Sequence, residues 1–103
     1  EDKVLAETCY NVAICYRYLG YASYNVMVDA INEGITDKEI LSEVLEKADI
    51  ALSYFKTAKE RFYDASSFDG DDQKSTTYAK DLNKLIKSIK TIFKPQLKEL
   101  INN

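Results

Sequence analysis

The sequence predicts an all-α fold: an antiparallel up-down-up three-helix bundle with long helices at about 3–33, 37–65 and 75–101. Three observations carry this prediction. Gly (3) and Pro (1) are scarce in 103 residues, and a chain with few breakers makes few turns. Apolar residues recur at spacings of three and four along three long blocks, which is the period of a helix face. The blocks are matched in length, about 40–48 Å at a rise of about 1.5 Å per residue, and no alternating strand pattern separates them. The length fits one domain spanning 1–103.

Helix 1 is unusually apolar. Five of the eight tyrosines, both cysteines and the only methionine fall between Val4 and Ile31. On a helical wheel its residues fall into sectors. Leu5, Val12, Leu19 and Val26 repeat every seven residues as a large aliphatic ridge. Beside it runs a small-residue stripe of Ala6, Cys9, Ala13 and Gly20, ending at Met27. A third sector holds Tyr10, Arg17, Tyr21, Tyr24 and Val28, and only a narrow strip (Glu7, Asn11, Asn25, Asp29, Asn32) is polar. The small stripe predicts close helix approach, which offsets the roughly 1 kcal/mol that a mid-helix Gly costs relative to Ala. The ridge and the small stripe are expected to face helices 2 and 3. That leaves the tyrosine sector as surplus apolar surface.

The first connection carries clear signals. Gly34 suits the left-handed position just past a helix end. Thr36 and Glu39 have the spacing of a capping box, with Ile35 and Ile40 placed as a hydrophobic staple. Helix 2 then shows an unbroken apolar stripe of Leu41, Val44, Ala48, Ala51, Phe55, Ala58 and Phe62. The second connection, about Ser66 to Lys74, is polar apart from Phe68, which is expected to tuck onto the core. Asp71 and Asp72 are expected to cap helix 3. In helix 3 the stripe reads Tyr78, Leu82, Leu85, Ile89, Ile92, Gln96 and Leu100, with Ile86, Phe93 and Leu97 beside it. Pro95 lies inside this pattern. It removes a backbone donor and clashes with the carbonyl of Thr91, so a kink is expected rather than a stop. Leu19-Gly20 and the spaced alanines of helix 2 are only faintly similar to a tetratricopeptide hairpin. The helices are about twice too long for one, and no period of about 34 residues is present.

Several chemistries are excluded by composition. There is no histidine, which removes Ser-His-Asp and Cys-His catalysis, histidine phosphorelay, most zinc sites and the Glu-x-x-His di-iron bundle. No glycine-rich loop follows a strand, so no phosphate-cradling motif is present. Asp69, Asp71 and Asp72 fail the calcium-loop register, because Lys74 stands where Gly is required and Lys80 where the bidentate Glu belongs. Glu39, Glu43 and Glu46 form an acidic ridge without a facing ligand set. No enzyme activity, metal or cofactor is expected. Cys9 and Cys15 lie about 9 Å apart along one helix and about 120° around it, too far to pair with each other. They are expected to be buried and inert, and unpaired thiols favour a reducing, cytoplasmic setting. No apolar run spans a membrane without interruption by Asn11, Arg17, Asn25 or Asp29. No signal peptide is visible, and a start at Glu1 rather than Met fits a processed chain.

Two surfaces remain as binding candidates. The first is the tyrosine sector, Tyr10, Arg17, Tyr21, Tyr24 and Val28, expected to bind a protein partner or a second copy as a homodimer; Tyr and Arg are enriched at interfaces. The second is a lysine face on helix 3: Lys80, Lys84, Lys87, Lys90, Lys94 and Lys98. Net charge is −3 overall, yet residues 74–103 carry +5. This face fits phosphates or an anionic membrane surface. It lacks the arginine that usually reads bases and grips phosphate, and it has no aromatic to stack on them. A small-ligand pocket between the helices, lined by Tyr and Cys, is a third possibility.

Overall fold

The computed structural model describes residues 1–103. α1 spans Asp2–Asn32, α2 Lys38–Phe68 and α3 Gln73–Ser88; a π-helical turn, Ile89–Phe93, leads into α4, Lys94–Asn102. α3, the π turn and α4 make one continuous third rod. It runs antiparallel to α2, as the pairs Phe62–Tyr78 and Asp49–Lys94 show. Tyr10 against Phe62 and Gly20 against Phe55 set α1 antiparallel to α2 in the same way. The result is an up-down-up three-helix bundle, 54 × 19 × 17 Å.

The turn between α1 and α2 is built as the local sequence implies, with one shift. Gly34 has φ +70°, a conformation that costs glycine nothing. The Ile35 N–H donates to the Ala30 carbonyl at 3.2 Å and the Gly34 N–H to Ile31 at 3.1 Å, the two bonds that close a Schellman C-cap. The cap of α2, however, is Asp37 and not Thr36. The Asp37 carboxylate accepts from the backbone N–H groups of Glu39 (2.9 Å) and Ile40 (3.1 Å). A carboxylate one residue later takes the Glu39 N–H that the expected capping box would have given to Thr36, and the Ile40 N–H with it. With the cap at Asp37, Ile40 moves out of the staple position and stands 45% exposed. In the second connection Phe68 belongs to the last turn of α2 and is also exposed. Asp72 caps α3 as expected: it accepts from the Ser75 N–H at 2.9 Å and from the Ser75 hydroxyl. Ser75 is thereby fully buried with its polar groups satisfied.

α2 is the central rod. Its stripe Leu41, Val44, Ala48, Ala51, Phe55, Ala58 and Phe62 is wholly inside, and it packs closely along both neighbours. α1 approaches it through Ala6, Ala13, Gly20 and Met27, all buried. A Cβ on Gly20 would land on the buried ring of Phe55. Small residues therefore let these two backbones come close.

The third rod departs from the expected register in its second half. Beyond Ile89 the buried face is carried by Phe93 and Leu97, while Ile92 is 56% exposed and Gln96 lies in solvent. The π turn explains the change. Lys94 donates its N–H to Ile89, five residues back, so one extra residue is accommodated and everything downstream rotates by one position. Leu97 then takes the inward place that an uninterrupted α-helix would give Gln96. Pro95 stands in the first turn of α4, where a missing N–H and a fixed φ are tolerated.

Candidate interaction surfaces

α1 turns its tyrosine sector inward and its aliphatic ridge outward. The five tyrosine-sector residues are all half-buried, and four of them, Tyr10, Tyr21, Tyr24 and Val28, pack against the main core cluster. α1 and the third rod meet almost entirely through these large side chains rather than by close backbone approach. Tyr10 meets Phe62 at a centroid distance of 5.8 Å and Tyr78 at 6.2 Å. Phe62 and Tyr78 stack at 5.0 Å, and Tyr24 sets its ring edge-on to Phe93 at 6.0 Å. The Arg17 guanidinium carbon lies 4.9 Å from the ring centres of both Tyr21 and Tyr78. Each aromatic pair is worth roughly 0.5–1.5 kcal/mol beyond its burial, and a partly exposed cation–π contact about 0.5–1 kcal/mol. Burial, followed by the neighbouring Tyr21, pushes the Tyr24 hydroxyl above its ordinary value of 10.0. The tyrosine sector is thus engaged inside the fold, as the seam between its outer rods.

The aliphatic ridge, expected to face α2 and the third rod, faces solvent instead. Leu5 is 45% exposed, Val12 37%, Leu19 47% and Val26 44%. The reason is angular. α2 and the third rod straddle the small stripe and the tyrosines, and the ridge lies just beyond the arc they cover. Its neighbours at alternating spacings of three and four, Thr8, Cys15, Ala22 and Asp29, are exposed as well. Cys15, expected to be buried, is an exposed free thiol, while Cys9 is half-buried. Val4 and Tyr18, at 64% and 66%, extend the same face. From Val4 to Val26 this surface contains no charged side chain, on a protein in which 30% of residues are charged. On the α2 side it is bordered by Tyr16, whose ring lies 6.1 Å from that of Tyr54.

The lysine face is placed on the outer side of the third rod. Lys80, Lys84, Lys87, Lys90 and Lys98 are exposed, and Lys94 pairs with Asp49 of α2 at 2.6 Å. α2 adds two cations that helix-by-helix reading does not associate with this face. Lys56 and Lys59 approach Lys90, and Lys56 foremost, with burial and with Lys59 and Lys94, holds the Lys90 ammonium below its ordinary value. Their positions were visible in the sequence, but only the antiparallel packing of α2 on the third rod brings them together.

Two open grooves, of about 450 and 340 Å³, lie at the end of the bundle where α1 begins and α3 starts. Their lining residues are mostly of polar or charged type: Gln73, Lys74, Thr77, Tyr78 and Asp81 line the first, and Lys3, Glu7, Tyr10, Asp69 and Asp72 contribute to the second. Lys74, shared by both, sits 5.0 Å over the Tyr10 ring; its interaction with Tyr10 raises its pKa. Neither groove is lined by a cysteine. No three His, Cys, Asp or Glu side chains converge as metal ligands, and no helix is long and apolar enough to cross a membrane. No family model, curated protein or solved structure matches this chain.

Proposed function

We propose that this protein is a non-catalytic helical-bundle interaction module that binds a partner, or itself, through the outer face of α1. One observation carries the reading: a charge-free apolar stripe about 32 Å long, from Leu5 to Val26 at about 1.5 Å per residue, stands in solvent on an otherwise charged molecule. Exposed apolar patches that are contiguous rather than scattered mark interaction sites. Seven-residue repetition with spacings of three and four suits a partner helix in coiled-coil-like packing. The tyrosine sector contributes from behind, by fixing α1 against the third rod. The exposed Cys15 thiol and the half-buried Cys9 thiol fit a reducing compartment such as the cytoplasm.

The test uses the double substitution Val12→Lys with Leu19→Lys. Both positions are at the surface, so helicity and unfolding midpoint are expected to hold. The variant is expected to lose whatever the wild-type chain associates with, whether a second copy or a cellular protein retained on the immobilised chain. Identical behaviour of the two proteins in both assays would contradict the proposal.

A second reading, anion binding, is favoured by the exposed row of Lys80, Lys84, Lys87, Lys90 and Lys98 on the third rod, with Lys56 of α2 beside Lys90. Crowded ammonium groups gain from a bound phosphate that relieves their repulsion. It predicts binding to anionic vesicles or nucleic acid that falls steeply with salt and is lost in Lys56→Glu with Lys90→Glu. Binding that is absent, or indifferent to salt, would remove it.

A further inference from the structure

The outer stripe of α1 has an internal pattern that points to its occupant. Large and small side chains alternate along it. Leu5, Val12, Leu19 and Val26 hold one set of positions, and Thr8, Cys15, Ala22 and Asp29 the other, all exposed. Consider two copies related by a two-fold axis at the level of Arg17, their α1 helices antiparallel. Cys15 of one copy then lies level with Leu19 of the other, Val12 with Ala22, Thr8 with Val26 and Leu5 with Asp29. Leu19 meets the smaller Cys15 and Val12 the smaller Ala22 in the two central pairs, and Val26 meets Thr8 of similar size, so the two surfaces interlock without either backbone moving. A two-fold contact requires this kind of self-complementarity, because one patch must fit itself. Parallel pairing would set Leu19 on Leu19 and Val12 on Val12, leave voids at Cys15 and Ala22, and bring the two Asp29 carboxylates together.

We infer that the partner of this surface is a second copy of the chain, joined through antiparallel α1 helices about an axis near Arg17; this rests on the reading of the outer face as an interface. Three further observations agree with it. The two rims are neutral near the axis. Tyr18, the most exposed large hydrophobic side chain at 66%, stands on one rim between Asn11 and Asn25, where two copies present Tyr to Tyr and Asn to Asn. The exposed portions of Val4, Leu5, Val12, Tyr18, Leu19 and Val26, with the small residues between them, amount to on the order of 700 Å² per copy, near the roughly 800 Å² a side of a standard interface. Antiparallel helices also align their dipoles favourably.

The register is tested by thiol chemistry together with solution mass. On mild oxidation the Leu19→Cys variant is expected to form a covalent dimer through the native Cys15 thiol of the other copy. The wild-type chain, and a Val26→Cys variant whose opposite residue is Thr8, are expected to form no intermolecular disulfide: their masses on denaturing gels stay those of single chains. Before oxidation the wild-type chain is expected to sediment as a dimer whose affinity is not weakened by salt, since no ion pair holds it. An efficient covalent dimer from the wild-type chain through Cys15 alone would overturn the antiparallel register. A wild-type chain that stays monomeric, yet still retains a cellular protein that Val12→Lys with Leu19→Lys does not, would overturn the self-pairing and leave the interaction surface standing. A dimer that survives Val12→Lys with Leu19→Lys would overturn both.

Discussion

At the scale of single residues, Gly20 and Asp37 show how local chemistry decides position. Gly20 is required because the Phe55 ring occupies the space a Cβ would take. Gly20→Ala gains about 1 kcal/mol of helix propensity but forces an overpacked contact costing about 1–3 kcal/mol. Phe55 is fully buried and has nowhere to move, so the variant is expected to lower the urea midpoint; a stabilised variant would contradict the close approach of α1 and α2. Asp37→Ala is expected to cost about 0.5–2 kcal/mol through loss of the α2 cap, whereas Thr36→Ala costs little. The opposite order would reinstate Thr36 as the cap. This outcome was half-legible: both residues are cap formers, and which one caps depends on where the chain leaves the Gly34 turn. Tyr24 gives a pH prediction. Its folded-state pKa is raised above 10.0, so the folded chain keeps a proton that the unfolded chain releases. Stability is therefore fully present below pH 10.0 and falls as pH rises through and above it. Tyr24→Phe should flatten that alkaline decline, as read by the pH dependence of the unfolding midpoint; an unchanged decline would mean that Tyr24 is not the group responsible.

At the scale of elements, the third rod and α1 each hold a lesson about register. The heptad of α3 continues on paper into Ile92 and Gln96, but the π turn hands those places to Phe93 and Leu97. Pro95 announced a disturbance, and Gln96 at an apolar position was the hint that the chain would slip by one. The size and direction of the slip come from packing against α2, which no single helix encodes. Leu97→Ala is accordingly expected to cost about 2–5 kcal/mol, and Ile92→Ala within about 0.5 kcal/mol of nothing. Equal losses in denaturant unfolding would restore an uninterrupted helix. In α1 the three sectors were legible, and so was the small stripe that meets α2. Their outward and inward assignment was not. Two apolar faces on one helix cannot be ranked by hydrophobicity; what separates them is where the third rod lies, and that depends on Tyr10, Arg17 and Tyr24 spanning to Tyr78 and Phe93.

At the scale of the whole molecule, a three-rod bundle of 54 × 19 × 17 Å leaves each helix with a solvent side. α2 and the third rod answer with charge, Glu39, Glu43 and Glu46 on one and the lysines on the other. α1 answers with Leu5, Val12, Leu19 and Val26. The charged faces of α2 and the third rod are well solvated, so the outer side of α1 is the one that gains from leaving water. Lys56 and Lys90 tolerate each other's proximity because both are open to water where α2 meets the third rod. The central claim is that the outer face of α1 is an interface and that a second copy fills it. Sedimentation equilibrium of the wild-type chain beside its Leu19→Lys variant tests this most directly. A reversible dimer for the wild type and a folded monomer for the variant are predicted; a wild-type chain that remains monomeric at every concentration would contradict the claim.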